Sequence, residues 1–144
     1  MIKKIKLRRL DPLSPKERSE RMGRVHAKDT KAEMAVRRLL HSMGYRYRLH
    51  DRTLPGYPDI VFRKRKKMIF VHGCFWHRHH CRSGKRLPKT RLDFWLPKLN
   101  ANKKRDQKNL NKINRLGWLY LIIWECETRN ILYIKKKIIN FLES

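Results

Sequence analysis

The chain has 144 residues, enough for one domain with a real core, and carries 38 Lys plus Arg against 12 Asp plus Glu, a formal charge of +26. Such an excess is a statement about partners rather than fold, and polyanions lead, with a membrane surface as the competitor. No apolar run approaches a bilayer span, the basic N-terminus MIKKIKLRRL lacks the apolar stretch of a signal peptide, and three cysteines argue against a disulfide framework. An intracellular chain is the expectation, its thiols reduced or metal-bound.

Residues 1–20 are rich in Lys and Arg, hold Pro12 and Pro15 and show no sustained period. They read as a mobile basic arm that follows a phosphate backbone, leaving 21–144 as a single domain. Thr30-Lys31-Ala32-Glu33 matches a capping box, and Ala32, Val36, Leu39, Leu40 and Met43 then share a helical face that ends at Gly44. Tyr45, Tyr47 and Leu49 alternate with Arg46, Arg48 and His50, the period of a strand with a basic outer face.

Leu54 to Cys81 is the densest stretch. Pro55-Gly56 is turn chemistry, and Pro58 places Asp59 at the head of the apolar run Ile60–Phe62. A charged connector, Arg63 to Lys67, leads to Met68–Val71, so the pair predicts a hairpin. Four of the seven histidines and two of the three cysteines follow within residues 72–81. A Cys/His loop should continue to about Lys89.

A long polar helix is predicted from Asp93 to about Leu116, with a thin stripe of Leu99, Leu110, Ile113 and Leu116; Pro97 should fall in its first turn. WLYLIIW, Trp118 to Trp124, reads as a strand buried on both faces. A closing helix over 130–142 puts Ile134, Ile138, Ile139 and Leu142 on one side. The sum is an α/β chain, a mixed sheet with helices against it.

Cys74, His79 and Cys81 offer soft ligands of the kind zinc takes, though not at the familiar two-residue knuckle spacing. Cys126, the remaining cysteine, stands at the end of a core strand and completes Cys3His if the sheet brings it to the hairpin exit. The plainer reading leaves Cys126 a small buried hydrophobe and the histidines on the surface. Asp59 occupies a position where metal-dependent nucleases hold a magnesium carboxylate, or it is a turn residue. Hard Mg2+ offsets the charge of a phosphodiester and lowers the pKa of the attacking water.

His72 and His77 are candidates for proton transfer near neutral pH. Glu33 is a second metal-site carboxylate or the capping-box residue, and Asp106 a site residue or an ordinary helix-surface ion pair. Phe75 and Trp76 either pack in the core or stack on bases, with Trp95 and Met22 as weaker candidates.

These residues resemble the very-short-patch-repair (Vsr) DNA mismatch endonucleases of bacteria. The likeness covers roughly Ser19 to Glu127 and rests on four blocks: LPGYPDIVF, FVHGCFWHRHHC, PKTRLDFW with Asn102 and Arg105-Asp106 beyond it, and GWLYLIIWECE. The resemblance implies a restriction-endonuclease-like mixed β-sheet flanked by helices, with a zinc-stapled Cys/His loop. It also implies Mg2+-dependent nicking of one strand beside the thymine of a T:G mismatch left by deaminated 5-methylcytosine.

Carried over by position, Asp59 becomes a magnesium ligand with the Val71 backbone carbonyl, and His77 the base that activates water. His72, Glu33 and Asp106 support that site. Cys74, His79, Cys81 and Cys126 bind zinc, and Phe75, Trp76, Trp95 and Met22 form a wedge into the mismatch. The wider nuclease superfamily follows its first Asp with Glu-x-Lys, whereas this chain has Val71-His72-Gly73, a change the Vsr family shares. Expected partners are double-stranded DNA with a T:G mismatch and a MutL-type repair protein, for a monomer in the bacterial cytoplasm, at the nucleoid in use. The rivals are a non-catalytic zinc-dependent DNA-binding protein, in which Asp59, His72 and His77 have no role, and an RNA-binding protein.

Overall fold

A computed structural model describes residues 29–144; the basic segment 1–20 and Met22 lie outside them. From Lys31 onward the chain forms α1 (Lys31–Ser42), β1 (Arg48–Leu49), β2 (Ile60–Phe62) and β3 (Lys67–His72). There follow a one-turn α2 (Arg82–Lys85), α3 (Leu92–Arg115), β4 (Leu119–Trp124), a 3-10 turn (Glu125–Arg129) and α4 (Ile131–Leu142). The four strands lie in the order β1-β2-β3-β4, antiparallel except for the parallel pair β3–β4. A parallel neighbour needs a crossover, and α2 with α3 supplies it.

Strand alternation sorts the apolar residues onto two faces. Ile60, Phe62, Ile69, Leu121 and Ile123 meet Val36 and Leu40 of α1 and Ile134, Ile138 and Leu142 of α4. Val61, Met68, Phe70, Tyr120 and Ile122 meet Ile113 and Leu110 of α3. Strand β4 packs on both faces but is not buried as expected: as the sheet edge it buries only Ile123 fully, and Leu119 is exposed. Burying a side chain such as Leu40 or Ile69 contributes about 1.5–3 kcal/mol. Truncating Leu40 to Ala should cost about 2–5 kcal/mol because the cavity term adds.

Several expectations need correction. Strand period across Tyr45–Leu49 shrinks to the two-residue β1, because Tyr45 and Tyr47 turn edge-on to Phe62. Lys67 is not connector but the first residue of β3, and it is buried. Its Nζ donates to the carbonyls of Phe141 (2.7 Å) and Ser144 (3.1 Å), meeting the negative end of α4. Pro97 is the sixth residue of α3, one turn later than expected. Near a helix start the missing N–H removes one bond, from the Asp93 carbonyl, and leaves the longer part of the ladder intact. Leu116 and Ile139 are exposed, and the Cys/His loop is interrupted by α2. Among the described residues no helix is long and apolar enough to cross a membrane.

Candidate active site and metal centre

The parallel register builds the Cys/His centre. His72 lies opposite Trp124, so residues two further along each strand, Cys74 and Cys126, leave the sheet side by side. The Cys126 N–H donates to Cys74 Sγ (3.4 Å). The loop after β3 is wound back by His77 N–H on the Gly73 carbonyl (3.1 Å) and His79 N–H on that of Cys74 (3.0 Å), which brings His79 Nδ1 to 3.6 Å from Cys126 Sγ. Trp124 backs the imidazole at 4.2 Å between centroids. Gly84 of α2 lets the following turn close, because a Cβ there would stand 1.8 Å from the His79 carbonyl oxygen.

Ligand atoms of Cys74, His79, Cys81 and Cys126 all lie within 4.8 Å of one another. Metal–sulfur bonds of about 2.3 Å and a metal–nitrogen bond of about 2.0 Å in a tetrahedron separate ligand atoms by about 3.5–3.8 Å, so the set fits one metal ion. Burial pushes the Cys74 thiol up to about 12, and a cation bound among the sulfurs is what would release that proton. The plain reading of Cys126 as a lone buried hydrophobe does not hold: the residue sits on the 3-10 turn beyond β4, facing the other three donors.

The second cluster lies at the same end of the sheet. Asp59 precedes β2, and its Oδ2 accepts from the Val71 N–H (2.7 Å). Glu33 turns inward from the first turn of α1 and is buried, with Oε2 2.8 Å from His50 Nε2 and 3.4 Å from Arg37 Nη1. The His50 N–H in turn donates to the Asp59 carbonyl (3.0 Å). Burial, opposed by the Val71 N–H and reinforced by the Glu33 carboxylate, raises Asp59 to about 7. Two carboxylates held together out of water are the donor set of a hard divalent cation, whose charge relieves their repulsion. Glu33 and Asp59 fit such an ion.

On the α3 side of the sheet, His77 Nδ1 lies 2.5 Å from Asp106 Oδ2, so Asp106 is not a mere surface ion-pair partner. His77 stacks on His72 at 3.8 Å between centroids, 6° from parallel. For His72 the expectation of near-neutral titration fails: burial, helped by the neighbouring His77 and opposed by Asp106, lowers it to about 3. Burial thus favours the neutral imidazole, and among the described residues its buried Nδ1 has no partner. The histidine pair thus follows directly on the strand whose Val71 N–H holds Asp59.

Phe75, Trp76 and Trp95 form a half-buried aromatic cluster, with centroid separations of 5.0, 6.1 and 5.7 Å. Phe94 joins it at 5.4 Å from Trp95, and buried Asn102 donates from Nδ2 to the Trp76 carbonyl (3.3 Å). Sequence reasoning missed His50, Phe94 and this role of Asn102. For His50 no sequence signal existed, since its alternation with Leu49 made it an outward residue. Phe94 beside Trp95 was a visible aromatic pair.

Comparison with known proteins agrees with the geometry. The family model for DNA mismatch endonuclease Vsr matches residues 10–83. The type II nicking enzyme V.XorIIP of Xanthomonas oryzae pv. oryzae is 49% identical over 133 residues, 92% of this chain and 97% of the relative. DNA mismatch endonuclease Vsr of Escherichia coli is 43% identical over 112 residues, covering 78% and 71%. The type II nicking enzyme V.NmeAIP of Neisseria meningitidis is 42% identical over 120 residues, covering 83% and 85%. With soft and hard donor sets at one strand end and relatives matched over most of their length, the chain belongs to the Vsr family of DNA mismatch endonucleases.

Proposed function

We propose that this chain is a Mg2+-dependent endonuclease of restriction-endonuclease-like fold that nicks one DNA strand next to the thymine of a T:G mismatch left by deaminated 5-methylcytosine. The carrying observation is the His77–Asp106 pair stacked on His72 where β3, the strand bonded to Asp59, ends. An Asp106 carboxylate can only accept, so His77 carries its proton on Nδ1 and leaves Nε2 as the base that takes a proton from water. Asp106 also stabilises the imidazolium that results. Asp59, Glu33 and the Val71 carbonyl would hold Mg2+, which when bound supplies charge neutralisation and a more acidic water. His72 stays neutral and serves as a hydrogen-bonding group beside the phosphate.

In this reading Cys74, His79, Cys81 and Cys126 hold a structural zinc that fixes the loop carrying Phe75, Trp76 and His77. Phe75, Trp76 and Trp95, with Met22, form the wedge that enters the weakened stack. A wedge inserts at lower cost where pairing is already poor, and this favours a mismatch over a matched duplex. Residues 1–20 add phosphate-directed charge to an endonuclease domain of 21–144, and the protein works as a monomer on bacterial DNA, with a MutL-type protein as a further partner. The test is nicking of a T:G duplex beside C:G and T:A controls, with and without Mg2+. Nicking confined to the mismatch and to Mg2+ is expected; equal cutting of all three would remove the specificity, and activity without any divalent cation would remove the role of Asp59.

A further inference from the structure

Tyr57 has no part in the reading above, yet it stands two residues before Asp59. The turn Leu54–Tyr57 closes through the Tyr57 N–H on the Leu54 carbonyl (3.3 Å), with Gly56 at φ 78°. A Cβ on Gly56 would lie 3.2 Å from the Phe70 ring, so the turn is seated against the sheet and the next residue faces outward. Tyr57 adopts φ 50° and precedes Pro58, whose ring restricts it further. Gly or Asn would hold that backbone at lower cost. The side chain is 66% exposed, and among the described residues its ring meets no other ring and its hydroxyl has no partner. Strain of this kind gathers where a ligand is bound.

The ring lines a cleft of about 600 Å³ together with His77, Asp106, Arg52, Arg105 and Lys112. One wall is therefore the proton-transferring pair. The others bring three cations that, among the described residues, have no carboxylate partner, alongside an outward-facing aromatic. A cleft touching the base of a phosphodiester hydrolysis must receive the strand on one side of the cut. Nucleotides there present phosphate charge and a flat base, the two surfaces these side chains match.

We propose that Tyr57 is a stacking platform for the base of a nucleotide next to the cut phosphodiester, with Arg52, Arg105 and Lys112 holding the phosphates of that strand segment. This rests on the nuclease reading of His77 and Asp106. It adds a binding residue for the flanking nucleotide, distinct from the Phe75/Trp76/Trp95 cluster.

The test uses full-length protein and T:G duplexes carrying one 2-aminopurine at a time at the two nucleotides on either side of the mismatched thymine. Mg2+ is left out so that the strand stays intact, and saturation is set by anisotropy. Wild-type protein and Tyr57→Phe should quench the fluorophore at one of these positions. Tyr57→Gly, which removes the ring and relieves the positive φ, should lose that quench while its unfolding temperature stays equal or rises. With Mg2+ restored, single-turnover nicking by Tyr57→Gly should slow about 5- to 150-fold, the loss expected for one base–aromatic stack. Equal quenching by wild type and Tyr57→Gly at every position overturns the proposal, as does quenching at none. Should wild type fail to nick at all, the nuclease reading falls, and the quenching comparison still decides whether Tyr57 meets a base.

Discussion

Two clusters grow from the same end of the β3–β4 pair, and their chemistry divides cleanly. Cys74, His79, Cys81 and Cys126 offer three sulfurs and a nitrogen, packed against Trp124 and closed by the Gly84 turn. Asp59 and Glu33 offer oxygens, and a histidine pair, of which His77 is only half-buried, follows the strand that bonds Asp59. Soft donors of this kind suit a metal that fixes a loop, and hard donors suit a divalent cation that meets a phosphodiester. The centres are linked, because the loop wound by the first also carries His77 of the second. Damage to the hard centre should abolish chemistry alone, and damage to the soft one should also reach the fold.

The largest effect should come from Asp59→Asn, which keeps the side-chain size and removes the charge proposed to hold Mg2+. Loss of a general base typically costs about 10²–10⁴-fold, and loss of this ligand should cost at least as much. Single-turnover nicking beside a gel shift should show rate lost and T:G binding kept, with the Cys/His metal still present. A near wild-type rate in a folded, metal-loaded variant would break the assignment of Asp59.

Cys126→Ala probes the other centre. Elemental analysis should fall from about one zinc per chain towards none, with a lowered unfolding temperature, since metal-binding energy is folding energy. Full zinc occupancy would take Cys126 out of the centre.

Asp106→Asn should sit lower. Loss of a partner that orients a functional imidazole costs about 10–100-fold in comparable sites, and the amide can still hold the ring while lacking the carboxylate charge. Nicking should fall within that range, with zinc content and DNA affinity unchanged. A loss as deep as that of His77→Ala would mean that Asp106 does more than orient the ring.

The pH dependence is subtler and has a definite sign. Asp59 has a folded pKa near 7, above its ordinary carboxylate value of 3.8. The folded state therefore binds the extra proton between about pH 4 and 7, and stability from this group falls as pH rises through that window. Without Mg2+, the unfolding temperature should drop across it more steeply in wild type than in Asp59→Asn; added Mg2+ should reduce the drop by neutralising the carboxylates. A pH slope identical in the two proteins would remove Asp59 as its source.

The smallest effect tests a region outside both centres. Asn130 caps α4 by accepting the Tyr133 N–H (3.1 Å). Asn130→Ala should cost about 1 kcal/mol of stability by denaturant unfolding and leave nicking and zinc content unchanged.

The sequence by itself determined what is local. The hairpin followed from two short apolar runs between turn signals, α4 from its apolar stripe, and the Cys74–Cys81 ligand cluster from chemistry crowded into one loop. Asp59 was visible because Pro58 and an apolar run frame it. Only the tertiary structure decided which distant groups meet. The β3–β4 register carries Cys126 to Cys74, 52 residues apart. Packing of α1 on the sheet turns Glu33 inward towards His50 and Asp59, where local capping chemistry gave an equally good account of it. α3 crosses the other face and delivers Asp106 to His77. Hydrophobic periodicity states which face of an element is buried, but not which element buries it; that choice rests on strand order and register, to which the whole chain contributes.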